Sequence, residues 1–320
     1  MKQDEARITV GVDVSKQRLE VFELGTGEAS SSPNSLDAVE QWFGRLLAPI
    51  RVAIEPTNSY HESVTQVAHA RGHQVYLSDP HRLAHYRQGV GQRVKADRQD
   101  AQLLARYLER EVSELREWAP ITPAQQGFWR LLRRRATLVR AKVQRHHSLV
   151  ELASLQADVD ALLKHLDQLL HKIDRALMMQ AKRMGWAAQV ARCRALPGVG
   201  PLTALALVAR YHRGEFVCAD AFIAFMGMAV RVRESGQWRG RRKLTKKGDP
   251  EVRRLLFNAA MQGRRSPVWE PYYLALRQRG LSATAAFVAL SRKLARICFA
   301  LLKNGTEFNP SLRAGSCAST

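Results

Sequence analysis

Along residues 7–110 the apolar positions switch repeatedly between a period of two and a period near 3.6. "RITVGVDVS" and "RLEVFEL" are β-branched runs separated only by "KQ", a spacing that predicts a hairpin. "SLDAVEQWFGRLL" opens on a serine suited to a cap and carries its apolar residues at helical spacing. A strand "RVAIEP", a helix beginning near Tyr60, a strand "HQVYLSD" and a helix from Pro80 follow, and "KADRQDAQLLARYL" predicts one more helix. An antiparallel pair followed by β-α-β-α units implies a mixed sheet covered by helices.

From Thr122 the pattern becomes helical throughout. Leu152, Leu155, Val159, Leu162, Leu166, Leu169 and Ile173 follow each other at alternating steps of three and four, a heptad stripe on a chain whose other faces are charged. It predicts a long helix packed along a second one, either the segment just before it or a second subunit. The region from Trp186 to Pro310 is mostly helical, interrupted by a polar, basic stretch at 231–250, and the small, polar end "SLRAGSCAST" predicts disorder. The fold class is therefore α/β plus all-α. The expected organisation is an acidic sheet domain at 1–121, a basic helical arm at 122–186, a helical domain at 187–310 and a tail at 311–320.

Charge changes this picture most. The 320 residues hold 50 Lys and Arg against 29 Asp and Glu, a net +21, which favours a polyanionic partner and above all nucleic acid. Seven basic residues and no acid lie between Trp118 and Val150: Arg130, Arg133, Arg134, Arg135, Arg140, Lys142 and Arg145. The most apolar stretch, "ALPGVGPLTALALVA", is too short to span a bilayer, so no membrane partner is expected. The charged "MKQDEARITV" does not suit a signal peptide, and a cytoplasmic protein is expected. Cys193, Cys218, Cys298 and Cys317 lack the spacing of a zinc site or a disulfide framework.

Four acids stand where chemistry gathers. Asp13 and Glu55 close β-branched strands, and strand ends are where open sheets place their sites. Asp97 and Asp100 are three apart at the start of a helix. Separately, each has an ordinary role: Asp13 in a turn, Glu55 in an ion pair, Asp97 as an N-cap and Asp100 at the third helical position. Together they are four hard oxygen donors that would repel one another without cations, the kind of set magnesium takes. Two such ions can clamp the attacking and leaving oxygens of a phosphodiester transfer.

Towards the C-terminus, "LPGVGPLTALALVA" has the form of a helix-hairpin-helix. Gly198 and Gly200 there could let backbone N–H groups approach a phosphate, or could simply make a tight helix corner. Six of the nine residues from Arg239 to Lys247 are basic (Arg239, Arg241, Arg242, Lys243, Lys246 and Lys247), a strip suited to phosphates. Ser235 just before it is ordinary loop chemistry by spacing alone, since no His or Asp nearby in sequence offers a triad.

"GVDVSK", "IEPT" and "KADRQDAQLLARY", in this order, resemble the RuvC-like domain of the DEDD transposases of bacterial insertion sequences. "SG…RGR…KKGD…RRLL" resembles their C-terminal transposase domain. Within that family the chain looks like the bridge-RNA-guided recombinases and the related pilin-gene invertases. The stretch "MAVRVRE" departs from the usual "GL-P" pattern before the serine.

The resemblance implies an RNase H-like fold with Asp13, Glu55, Asp97 and Asp100 as ligands for Mg2+, with Mn2+ an alternative, and Ser235 as nucleophile. It implies strand exchange between donor and target DNA under a structured bridge RNA, by dimers that form tetramers, in a nucleoid-associated bacterial protein. The residues alone leave two other readings open. One is a RuvC-type structure-specific nuclease in which water attacks; the other is a non-catalytic nucleic-acid-binding protein.

Overall fold

In the computed structural model the described residues are 8–91, 97–149, 151, 153–231, 234–235, 238–240 and 242–310. The chain packs as two compact units, Met1–Pro120 and Ile121–Thr320.

The first unit is built on a five-stranded mixed sheet. β1 (Thr9–Val14), β2 (Arg18–Glu23) and β3 (Ala29–Pro33) form an antiparallel meander. α1 (Leu36–Gly44), β4 (Arg51–Ile54), α2 (Glu62–Ala70) and β5 (Gln74–Leu77) then add two strands parallel to β1. The spatial order is β3-β2-β1-β4-β5, an arrangement compatible with an RNase H-like domain. α3 (Pro80–Gly89) and α4 (Asp97–Glu111) complete the unit. The hairpin expected between the first two strands is present. β3 was not expected, because "ASSSP" is polar and lacks the β-branched signal; it pairs with β2 through its backbone at the edge of the sheet.

Alternation along β1 decides which helix meets which face. Val10, Val12 and Val14 point to one side, where they join Val39 and Phe43 of α1 and Val64 and Val67 of α2 in one core. Gly11 and Asp13 point to the other side, which α4 covers. On that side Ala53 of β4 packs with Leu103, Leu104 and Tyr107 of α4.

The second unit opens with α5 (Pro123–Leu149) and α6 (Gln156–Arg183). Arg135 pairs with Asp174, Lys142 Nζ lies 2.6 Å from Asp167, and Gln180 Nε2 donates to Ala124 O at 2.7 Å. Partners later on α5 meet partners earlier on α6, so the two helices run antiparallel. The expected packing of a long helix on another is thus met by the segment just before it. The expected seam is met by half its residues: Val159 is buried and Leu166 and Ile173 are half-buried, joined by Leu170, Leu177 and Ala181. Leu155, Leu162 and Leu169 point away and are 47%, 45% and 43% exposed. The stripe consists of two columns at seven-residue steps, and only the column of Val159, Leu166 and Ile173 is covered; the column of Leu155, Leu162 and Leu169 stays open along its length. Leu152 lies outside the described residues.

The rest of this unit is α7 (Ala187–Arg194), α8 (Pro201–Tyr211), α9 (Ala219–Phe225), four short strands, α10 (Pro250–Gly263), α11 (Glu270–Gln278) and α12 (Ala283–Asn304). Its core draws Phe128 and Trp129 of α5 and Leu177 of α6 together with Trp186, Leu205, Phe222, Leu256 and Leu294. The strands are β6 (Val230–Arg231), β7 (Glu234–Ser235), β8 (Trp238–Arg239) and β9 (Lys243–Leu244). β6 pairs with β9, and β7 pairs with β8.

Candidate functional site

The first unit brings four acids together from three elements. Gly11 of β1 stands opposite Ala53 of β4 in the parallel register. Two residues further along each chain, on the same face, come Asp13 and Glu55. This is the face α4 covers, and it covers it closely: a Cβ on Gly11 would lie 2.0 Å from Ala101 O and 2.6 Å from Ala105 N. Backbone-to-backbone contact at Gly11 therefore seats the first turn of α4, with Asp97 and Asp100, beside the end of β1.

Electrostatics registers the convergence. Burial first, and then the charges of Asp100, Asp97 and Glu55, push the Asp13 carboxyl from the usual 3.8 up to about 6; a backbone hydrogen bond from Val14 acts the other way. Asp100 is 5% exposed and accepts a hydrogen bond from Arg87 Nη2 of α3 at 2.7 Å. Asp97 is exposed and begins α4 as its first helical residue, so the N-cap position falls before it, outside the described residues. Asp100 is tied to Arg87, a tertiary role beyond first-turn placement. Among the described residues no three of His, Cys, Asp and Glu converge tightly enough to enclose an ion. The chemistry of the donor set nevertheless suits a hard divalent cation, since all four groups are carboxylates.

In the second unit, Ser235 belongs to an antiparallel hairpin. Thr245 N donates to Ala229 O at 2.9 Å and Lys246 N to Gly227 O at 3.0 Å, below the β6–β9 pairing. Above it Ser235 pairs with Trp238 and Glu234 with Arg239, so the Ser235 backbone is in the last described pair of the ribbon. The base is closed by two glycines: a Cβ on Gly248 would meet Met226 C at 2.5 Å and Gly227 N at 2.6 Å. Asp249, next in sequence, caps α10 by accepting from Glu251 N at 2.8 Å and pairs with Arg210 Nη2 at 2.5 Å. Arg210 lies over the Trp129 ring, 4.0 Å from its centroid. The returning strand of the hairpin is thereby fastened to α8 and α5.

The basic candidates divide. Arg135 and Lys142 are held by Asp174 and Asp167 between α5 and α6, whereas Arg130, Arg133, Arg134, Arg140 and Arg145 are exposed. Arg242, Lys243, Lys246 and Lys247 are exposed on the hairpin. Arg239 is described as backbone, and Arg241 lies outside the described residues. Gly198 has φ +91, and a Cβ there would stand 2.4 Å from Ala259 O, so close packing against α10 accounts for this glycine. Gly200 is open and begins α8 without a side-chain cap.

Two residues of the acidic site escaped the sequence. Gly11 carried a usable signal, a glycine two before Asp13 on the same strand face. Arg87 carried none, because nothing local distinguishes it from its neighbours Arg82 and Arg93.

Such a pair of features, clustered carboxylates in one unit and a basic hairpin in the other, is the equipment of proteins that act on nucleic-acid phosphodiesters. Residues 10–176 match the profile of the IS110-type DEDD transposases, and residues 190–274 match the Transposase IS116/IS110/IS902 family. The chain belongs to the IS110-type DEDD transposases, a family of insertion-sequence enzymes that recombine DNA.

It is 26% identical to a pilin gene-inverting protein of Moraxella bovis, over 81% of this chain and 82% of that one. A probable family 20 transposase of Pseudomonas aeruginosa is 25% identical, over 94% of this chain and 98% of its own. Divalent metal ions are typical of the family. No helix among the described residues is long and apolar enough to cross a membrane.

Proposed function

We propose that the protein is a metal-assisted serine recombinase in which Asp13, Glu55, Asp97 and Asp100 hold divalent magnesium or manganese and Ser235 attacks DNA. The observation that carries this reading is geometric: the β1–β4 register puts Asp13 and Glu55 on one sheet face, and the close approach at Gly11 seats the first turn of α4, with Asp97 and Asp100, against that face. In chain order the four residues spell the D-E-D-D of the family name, and the first unit is read as an RNase H-like domain. A bound divalent ion would orient the scissile phosphate and stabilise the charge that develops on it.

The residues supply the rest. Gly11 fixes the spacing between β1 and α4, and with it that of Asp13 from Asp97 and Asp100. Arg87 holds Asp100 and offsets part of the negative charge. Ser235, on the hairpin, gives its Oγ to phosphorus; the Oγ–P bond replaces a P–O bond of the strand, and the released sugar oxygen takes a proton. One phosphodiester replaces another of similar energy, so strands are exchanged without a nucleotide triphosphate.

Donor and target DNA, a structured bridge RNA and a homo-oligomer complete the reading. The exposed arginines of α5 and the hairpin lysines would bind phosphate backbones by charge and shape, leaving sequence to base pairing. The exposed Leu162 and Leu169 on α6, with Leu155 just before it, suit a second copy of the arm, as a dimer that assembles into tetramers would need. The names of the relatives match either product of such strand exchange, inversion or transposition.

The test is to trap the intermediate. Protein with its co-purifying RNA and labelled donor and target duplexes is incubated with magnesium and run on a denaturing protein gel. Label is expected on the wild-type protein and on none of Ser235→Ala, Asp13→Ala or an EDTA control. Cleaved DNA without adduct, undiminished in Ser235→Ala, overturns the serine and leaves a nuclease in which water attacks.

A further inference from the structure

The corner where α10, α11 and α12 meet carries a feature that the proposed chemistry does not use. Phe287 of α12 stacks on Tyr273 of α11 with ring centroids 4.9 Å apart and meets Phe257 of α10 edge-on at 5.6 Å. All three rings are half-buried. Arg264, at the end of α10, lies over two of them, its guanidinium 5.7 Å from the Tyr273 centroid and 5.9 Å from that of Phe287.

Arg264 is itself exposed, and among the described residues it makes no ion pair and no side-chain hydrogen bond. That sets it apart from Arg135, Arg210, Arg254 and Arg296 of the same unit, each of which is paired with an acid. Met261, one helical turn from Phe257 and 43% exposed, adds apolar surface on the same side of α10.

The local charge suits a polyanion. From Arg264 to Arg296 the sequence has seven basic residues and a single acid, Glu270. An exposed guanidinium above an aromatic pair, with no acid to hold it among the described residues, is what a nucleobase with its phosphate can use: the base stacks on the guanidinium plane and the phosphate takes an N–H edge. Duplex DNA hides its base faces and offers such a surface only phosphates, whereas a single strand presents a π face at every base.

We propose that Arg264, backed by Tyr273, Phe287 and Phe257, is a stacking platform for a single-stranded polynucleotide. The ligand has two possible sources in the proposed reaction, an unpaired loop of guide RNA or a displaced DNA strand. The site rests on the family's action on nucleic acid but not on the serine or the metal.

The experiment is fluorescence anisotropy with the full chain in EDTA and about 0.3 M salt, where longer-range charge attraction is screened. The probes are a 20-nucleotide RNA, the DNA of the same sequence and the blunt DNA duplex. Arg264→Lys keeps the charge and removes the plane; Phe287→Leu removes the ring beneath it. Each variant is expected to weaken single-strand binding about fivefold or more, the low end of base-stacking energies, with duplex binding held within about twofold. A loss confined to RNA assigns the site to the guide, and a loss on DNA assigns it to a displaced strand.

Unchanged single-strand binding in Arg264→Lys overturns the proposal, as does an equal loss on the duplex. Crosslinking of a thiouridine-bearing RNA and a thiothymidine-bearing DNA to the wild-type protein provides a second measurement without any variant. Adducts are expected on peptides containing Arg264 or Tyr273, and their absence with both probes also overturns it. No step requires catalysis, so a failed serine mechanism and a failed platform give different results.

Discussion

At the scale of single residues the acidic site is governed by a charge and by the lack of a side chain. The folded chain holds the Asp13 proton more tightly than the unfolded chain, so ionising this group opposes folding. Its contribution to stability is favourable at low pH and is lost as pH rises from about 4 through about 6. In EDTA at pH 7.5, Asp13→Asn is expected to raise the melting temperature by roughly 2–4 °C and to bring no gain at pH 4, read by differential scanning fluorimetry. Magnesium is expected to stabilise the wild type and to do so far less in this variant. An equal magnesium response in both would remove Asp13 from the ligand set.

Gly11→Ala acts on the same site through space, because its Cβ would meet α4 backbone at 2.0 Å and neither partner can yield. A loss of about 1–3 kcal/mol in urea denaturation is expected, together with a weaker magnesium response. Gly25→Ala, where nothing lies within 4 Å, is the control that should change neither.

At the scale of elements the α5–α6 pair separates two uses of leucine. Leu170 and Leu177 are buried within the second unit, so they answer to stability, while Leu162 and Leu169 answer to whatever covers the outer stripe. The double change Leu162→Glu, Leu169→Glu is expected to lower the mass found by light scattering to that of a single chain while leaving the thermal transition within a few degrees. A variant that keeps the mass of the wild-type assembly would place the dimer contact elsewhere. The hairpin is governed from its base, where Gly227, Gly248 and the Asp249–Arg210 pair fasten a two-stranded ribbon that could not hold its shape alone.

At the scale of the whole molecule the charge of +21 sets how the protein meets DNA. Affinity for duplex is expected to fall linearly on a log–log plot against salt. Arg130→Ala, Arg133→Ala and Arg140→Ala combined should flatten that slope by up to about 0.9 for each phosphate that is no longer neutralised. Arg135→Ala should leave the slope alone, because its guanidinium is spent on Asp174, and should instead lower stability. A slope unchanged in the triple variant would take α5 out of the DNA-binding surface.

The sequence by itself determined the alternation that builds the sheet, the helical second half, the four acids and the basic stretches, because each is written in neighbouring residues. A period of two puts Asp13 opposite Val12 whatever else the chain does, and a net charge needs no fold. Distance in space decided the remainder. That Gly11 touches α4, that Arg87 reaches Asp100, and that Arg135 and Lys142 face acids while Arg130 faces solvent all depend on residues well separated along the chain. Half of the heptad stripe was left uncovered for the same reason: seven-residue spacing marks a face, but only the position of α5 decides which part of that face is covered.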